Sequence, residues 1–162
     1  MAPAGPGTGG ILGGGAAPPT PALPRIEAPH AADGEFQLVE LSPAKDALFS
    51  TLAEHAAKAA AAGLRPYVEF WATRCGPCMA IRSSMGDARM KKAFAGTYII
   101  QLNAEDWMDK LDGTGLSASA IPVYFELDAA GHPTGRSIDG GAWGDNVPEN
   151  MAPPLNAFFH GS

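Results

Sequence analysis

Cysteine is scarce in this 162-residue chain, occurring only at Cys75 and Cys78. Two thiols cannot form the multi-bridge framework that staples small secreted domains, so whatever they do, they do together. Positive charge is also short. Eleven Lys and Arg stand against 17 Asp and Glu, a net charge of −6, which favours solubility and disfavours a sequence-independent grip on phosphate backbones. No nucleic-acid partner is expected. Apolar runs of about 18 residues are missing, and so is a basic segment followed by a continuous apolar one within the first thirty positions. No membrane span is expected, and the chain as written reads as cytoplasmic, or as periplasmic or otherwise extracytoplasmic if an export signal has been removed.

What remains suits one folded unit, with an ordinary hydrophobic content of 46%. Residues 1–33 are dominated by Gly, Ala and Pro, as in Gly13-Gly14-Gly15 and Pro18-Pro19-Thr20-Pro21. This composition predicts a flexible arm ahead of a domain over 34–162. The PxxP spacing of Pro18 and Pro21 leaves a Pro-rich recognition segment as the alternative.

Within the domain, a short strand is expected from Phe36 to Leu41. Ser42 and Pro43 then supply an N-cap and a first-turn proline for a helix over 44–62, ended by Gly63. Leu48, Leu52 and Ala56 give that helix one apolar stripe, and His55 beside it reads as a boundary residue rather than a ligand. Residues 66–71 are strand-like, with a single carboxylate, Glu69, at the centre. A second helix runs from the cysteines through Met79, Ile81 and Met85 to Gly86. Further strands are expected at 98–100 and 122–127, and a turn at 128–131 leads to an antiparallel return at 136–138. A short helix falls within 106–111, and a closing helix at 155–159 follows Pro153-Pro154. Residues 140–154, which include Trp143 and Asn146, read as a loop packed by its own Trp, with a lid or partner surface as the alternative. The order predicts a mixed α/β layered domain.

The Cys75-Gly76-Pro77-Cys78 segment carries the chemistry. A cysteine in the first turn of a helix meets free backbone N–H groups and the positive end of the macrodipole, both of which favour thiolate over thiol. Cys75 is therefore the expected nucleophile. Cys78, one turn further on the same side, is suited to resolve. Pro77 restricts the loop at no cost in helical hydrogen bonds, and Gly76 leaves the approach to Cys75 open. Two other uses of the pair remain: half of a zinc site, for which only the scattered His30, His55, His132 and His160 could complete four ligands, and a merely structural disulfide closing a very small loop.

Phe70-Trp71-Ala72-Thr73-Arg74 followed by Cys-Gly-Pro-Cys resembles the active-site segment of the thioredoxin family. The resemblance extends from about Phe36 to the C-terminus and includes Ala120-Ile121-Pro122. It implies a thioredoxin fold, with a central mixed β-sheet flanked by helices on both faces, and dithiol-disulfide exchange that reduces protein disulfides. It also implies that Pro122 is cis and faces the cysteines, leaving the Ile121 backbone free to pair with an extended substrate. The alternative is an ordinary strand-initiating proline. Glu69 occupies the family's buried-acid position and would take the Cys78 proton, although the family usually has the shorter aspartate. Arg74 replaces a second tryptophan, and Gln101 stands where many members carry a lysine. Arg74 adds positive charge beside Cys75, so a couple more oxidising than usual is expected unless salt screens that charge.

Trp71, Arg74, Gly76, Pro77, Ile121 and Pro122 are the expected substrate contacts. No metal or organic cofactor is implied. The implied partners are disulfide-containing proteins and an upstream thiol reductant, such as a thioredoxin reductase or a membrane-linked donor. A monomer is expected. Two rival functions stand beside the reductase: an extracytoplasmic disulfide oxidase or isomerase, and a thioredoxin-fold binding module with a structural disulfide.

Overall fold

Long apolar runs with alternating partners dictate the centre of this molecule. The computed structural model describes residues 35–161; the expected arm over 1–33 lies outside them. Five strands, β1 (Gln37–Leu41), β2 (Arg65–Trp71), β3 (Thr97–Asn103), β4 (Val123–Leu127) and β5 (Pro133–Asp139), form one sheet in the order β1-β3-β2-β4-β5. The pairs β1–β3 and β2–β3 are parallel, whereas β2–β4 and β4–β5 are antiparallel. Because successive side chains point to opposite faces, β2 and β3 feed two cores at once, which is why they read as near-continuous hydrophobic runs.

On one face, Val68, Phe70, Tyr98, Ile100 and Leu102 pack against Leu52 and Ala59 of α1 (Leu48–Ala61) and against Trp107 of α4 (Ala104–Trp107). On the other, Tyr67, Ile99 and Tyr124 meet α2 (Gly76–Ser83), α3 (Ala88–Phe94) and α5 (Pro148–His160) through Ile81, Met90, Phe94, Leu155 and Phe159. The result is the expected central mixed sheet with helices on both faces.

Four helical elements differ from the sequence reading. The first helix begins at Leu48 rather than at 44. The Ser42 hydroxyl accepts from Ala44 N at 3.3 Å and its amide donates to Asp46 Oδ2 at 2.7 Å, so Ser42 closes a separate turn, and the actual N-cap, Ala47, has no side-chain cap. Gly63, at φ 75°, ends the helix as expected.

The second difference is α3, which the sequence reading passed over. Asp87 caps it by accepting from Arg89 N at 2.8 Å, and Met90, Ala93 and Phe94 form a buried stripe at helical spacing. The third is the closing helix, which starts at Pro148 and contains both Pro153 and Pro154. Prolines at interior positions remove two backbone donors. Burial of Met151, Leu155, Phe158 and Phe159 on one stripe outweighs that loss. The expected helix within 106–111 begins at Ala104, capped by Asn103, and continues as a 3-10 turn at Met108–Lys110.

Candidate functional site

The C-terminal end of β2 delivers the chain into α2, and the junction holds both cysteines. Cys75 is the N-cap of α2, and its Sγ accepts from the backbone N of Cys78 at 3.1 Å. The sulfur thus sits where the unsatisfied donors of the first turn converge. Pro77 occupies the first turn and removes no helical bond. Cys75 and Cys78 are joined as a disulfide with Cα atoms 5.2 Å apart. Their exposures differ in a way that matters chemically: Cys75 retains 9% of its surface and Cys78 none.

Cys75 borders a groove of about 650 Å³ whose walls include Ala72, Gly76, Pro77, Met108, Ser119 and Ile121. The Ile121–Pro122 peptide bond is cis, Pro122 is buried, and Ile121 packs on the Trp71, Ala72 and cysteine cluster. Gly140 N donates to the Pro122 carbonyl at 3.2 Å. A Cβ on Gly140 would meet Pro122 Cδ at 3.4 Å, so the chain passes close behind Pro122. Gly140 is therefore a backing for this proline, and the segment over 141–147 follows it. Trp143 is buried there and donates to Asn146 Oδ1 at 3.0 Å, while the remainder of the segment forms the first turns of α5.

Of the two expected contacts Arg74 and Trp71, the first lines the groove and the second does not. Arg74 points outward, 85% exposed, and pairs with Glu105 of α4, so its charge beside Cys75 is compensated by a carboxylate that the sequence reading did not single out. Trp71 lies beneath the surface at 6% exposure, packed with the cysteines and outside the groove wall.

Glu69 points to the same face of β2 as Trp71, two residues on, and is 2% exposed. Gln101, directly opposite on β3, donates Nε2 to Glu69 Oε1 at 2.8 Å. Tyr124 faces Glu69 from β4. Burial pushes the Glu69 carboxyl above its ordinary value, and Gln101, Tyr124 and the Arg82 guanidinium pull partly back. Arg82 was also missed from sequence, although it falls four residues after Cys78 and seven after Cys75, on their side of the helix. Its Cζ lies 3.7 Å from the centroid of the Trp71 ring.

His55, away from this site, meets the Tyr98 hydroxyl through Nδ1 at 2.6 Å. Among the described residues, no group of three or more His, Cys, Asp or Glu is placed to hold a metal ion, and no helix is long and apolar enough to cross a membrane.

No family model matches the chain, and comparison with curated proteins finds no relative. Solved structures similar to it include thioredoxins. One is a Schistosoma mansoni thioredoxin pre-protein in its reduced form, at 17% identity and a TM-score of 0.47, covering 75% of this chain and 98% of that one. Another is a chain of a crystallised complex of ferredoxin:thioredoxin reductase and thioredoxin f2, at 13% identity and TM-score 0.45, covering 70% of this chain and 86% of that one. A third is a Trichomonas vaginalis thioredoxin, at 19% identity and TM-score 0.40, covering 62% and 78%. With its mixed five-stranded sheet and helices on both faces, the chain has the α/β thioredoxin fold.

Proposed function

We propose that this protein is a thiol-disulfide oxidoreductase that reduces protein disulfides through Cys75 and Cys78. The observation that carries the reading is the asymmetry of the pair. One sulfur caps a helix at the edge of an open groove, and the other is sealed behind it. In the reduced protein, the Cys75 thiolate, favoured by the Cys78 amide and the helix dipole, attacks one sulfur of a substrate disulfide and expels the other as a thiolate. The Cys78 thiolate then attacks Cys75, expels the remaining substrate sulfur and closes the internal disulfide. Glu69 takes the Cys78 proton before that second attack. Its burial supports this role, since a raised carboxyl value brings it toward working pH.

An extended peptide lying along the groove would pair with the backbone at Ile121, next to the cis bond to Pro122, and touch Arg74, Gly76 and Pro77. Trp71 supports the site from beneath. Two electrons must return from an upstream thiol reductant, such as a thioredoxin reductase or a membrane-linked donor. The pairing of Arg74 with Glu105 favours reduction over oxidation as the working direction, because the charge that would stabilise the dithiol is partly cancelled.

Insulin reduction, followed with wild type and Cys75→Ser, tests the catalytic reading: the variant is expected to be inactive, and equal rates would reject redox catalysis in favour of a binding module. The potential of the couple in a glutathione or dithiothreitol buffer tests the direction. A value near the thioredoxin level of about −270 mV supports the reductase, and one toward about −120 mV makes the protein an oxidase or isomerase.

A further inference from the structure

The row of residues across the sheet at Glu69 contains more charge chemistry than a single buried acid requires. In register, Glu40 on β1 stands opposite Gln101, Gln101 opposite Glu69, and Glu69 opposite Tyr124. Arg82 descends onto this row from α2. Its Nη2 lies 3.5 Å from Gln101 Oε1, and Gln101 Nε2 lies 2.8 Å from Glu69 Oε1. The guanidinium stacks on the Trp71 ring, and its Nε is a buried donor with no acceptor among the described residues. A charged side chain is thus drawn inward to this place although it leaves a hydrogen-bonding position unused.

We propose that Arg82 is a positioning residue for Glu69, orienting the Gln101 amide and supplying the charge that lets the buried carboxyl ionise when the Cys78 proton must be accepted. This rests on the reading of Glu69 given above. Two effects of Arg82 act in the same direction. A guanidinium can only donate, so it holds the Gln101 oxygen toward itself and turns the amide NH2 toward Glu69, where a donor stabilises a carboxylate. Its positive charge also favours the ionised form.

The other groups facing Glu69 set what Arg82 works against. Burial and the Glu40 carboxylate on β1 favour the neutral acid, while the Tyr124 phenol on β4 helps the ion. The surrounding walls from α2, α3 and the turn between them, Ile81, Phe94 and Met85, are apolar. Arg82 is the one cation acting on Glu69 among these. Removing it frees Gln101 to rotate and present its oxygen to a protonated Glu69, which favours the neutral acid further. The step it supports is balanced: the Cys78 thiol and the Glu69 carboxylate become the Cys78 thiolate and the Glu69 carboxylic acid, and Glu69 later returns the proton to water.

The test uses the full chain with Arg82→Gln and Arg82→Lys. Titration of Glu69, followed by carbon NMR of labelled carboxyl groups, should move upward in Arg82→Gln and fall between that variant and wild type in Arg82→Lys. The pH at which insulin reduction rises should move upward in Arg82→Gln together with the Glu69 titration, so that the rate is lost on the acid side of the new midpoint and recovers at alkaline pH. Unchanged titration of Glu69 in Arg82→Gln overturns the proposal, as does a loss of rate that is equal at every pH, the mark of a merely structural role. Arg82→Lys guards against a folding defect, since it keeps the charge; a Lys variant titrating like the Gln variant overturns the proposal too. If wild type reduces no disulfide at all, the functional reading fails instead, and the Glu69 titration still decides the role of Arg82.

Discussion

Arg74 grips a single oxygen of Glu105 at the mouth of the groove, with Nε at 3.0 Å and Nη2 at 2.6 Å from Oε2. This contact joins the residue immediately before Cys75 to the helix that follows β3, and it sets a carboxylate against the Arg74 charge. Replacing Glu105 by Gln should release that charge, stabilise the reduced form and raise the potential by on the order of 10 mV at low salt. The rise should fade at high ionic strength, because both side chains reach solvent. Redox equilibration of Glu105→Gln at two salt concentrations checks both parts; no rise at low salt would leave Arg74 without influence on the couple.

The burial of Glu69 has a consequence for stability that does not depend on catalysis. Its carboxyl value is raised in the folded state, chiefly by burial. Folding therefore favours the protonated form, and its stabilising contribution is complete below the unfolded value and lost as pH rises through the folded one. Glu69→Gln should accordingly raise Tm relative to wild type above neutral pH, with the gap narrowing toward pH 4. Thermal unfolding of the oxidised proteins across that range is the measurement.

Gly131 closes the turn between β4 and β5 at φ 89°, and a Cβ there would sit 2.8 Å from the backbone of Leu52 and Ala53 in α1. Neither the backbone conformation nor the neighbour can yield cheaply. Gly131→Ala should cost about 2 kcal/mol or more by denaturant unfolding while leaving the potential of the couple unchanged.

The strands, the cysteine pair and the residue before β4 were legible because each depends on short stretches: apolar runs flanked by turns, two thiols three apart, a proline at a strand start. What sequence concealed was set by tertiary competition. Ser42 had the chemistry of an N-cap but spent its hydroxyl on the amide of Ala44 in a separate turn, and the prolines of α5 were tolerated because five side chains of that helix are buried. Glu105 and Arg82 escaped notice for a different reason. Both are ordinary surface-type residues whose importance comes from a partner 31 residues away for the one and 19 for the other, and no local pattern reports such a meeting.

The sealing of Cys78 reaches beyond the proposed exchange reaction. With its sulfur shielded and only Cys75 at the surface, the reduced protein presents one address to the outside. An alkylating reagent, a peroxide or glutathione disulfide meets the outer sulfur first, and on the proposed mechanism any adduct that can leave as a thiolate is expelled from within by the inner one. A disulfide-linked adduct is thereby erased, whereas a carbon-linked one stays. Brief exposure to iodoacetamide should therefore label a single thiol and trap the molecule half-finished, with its inner sulfur intact.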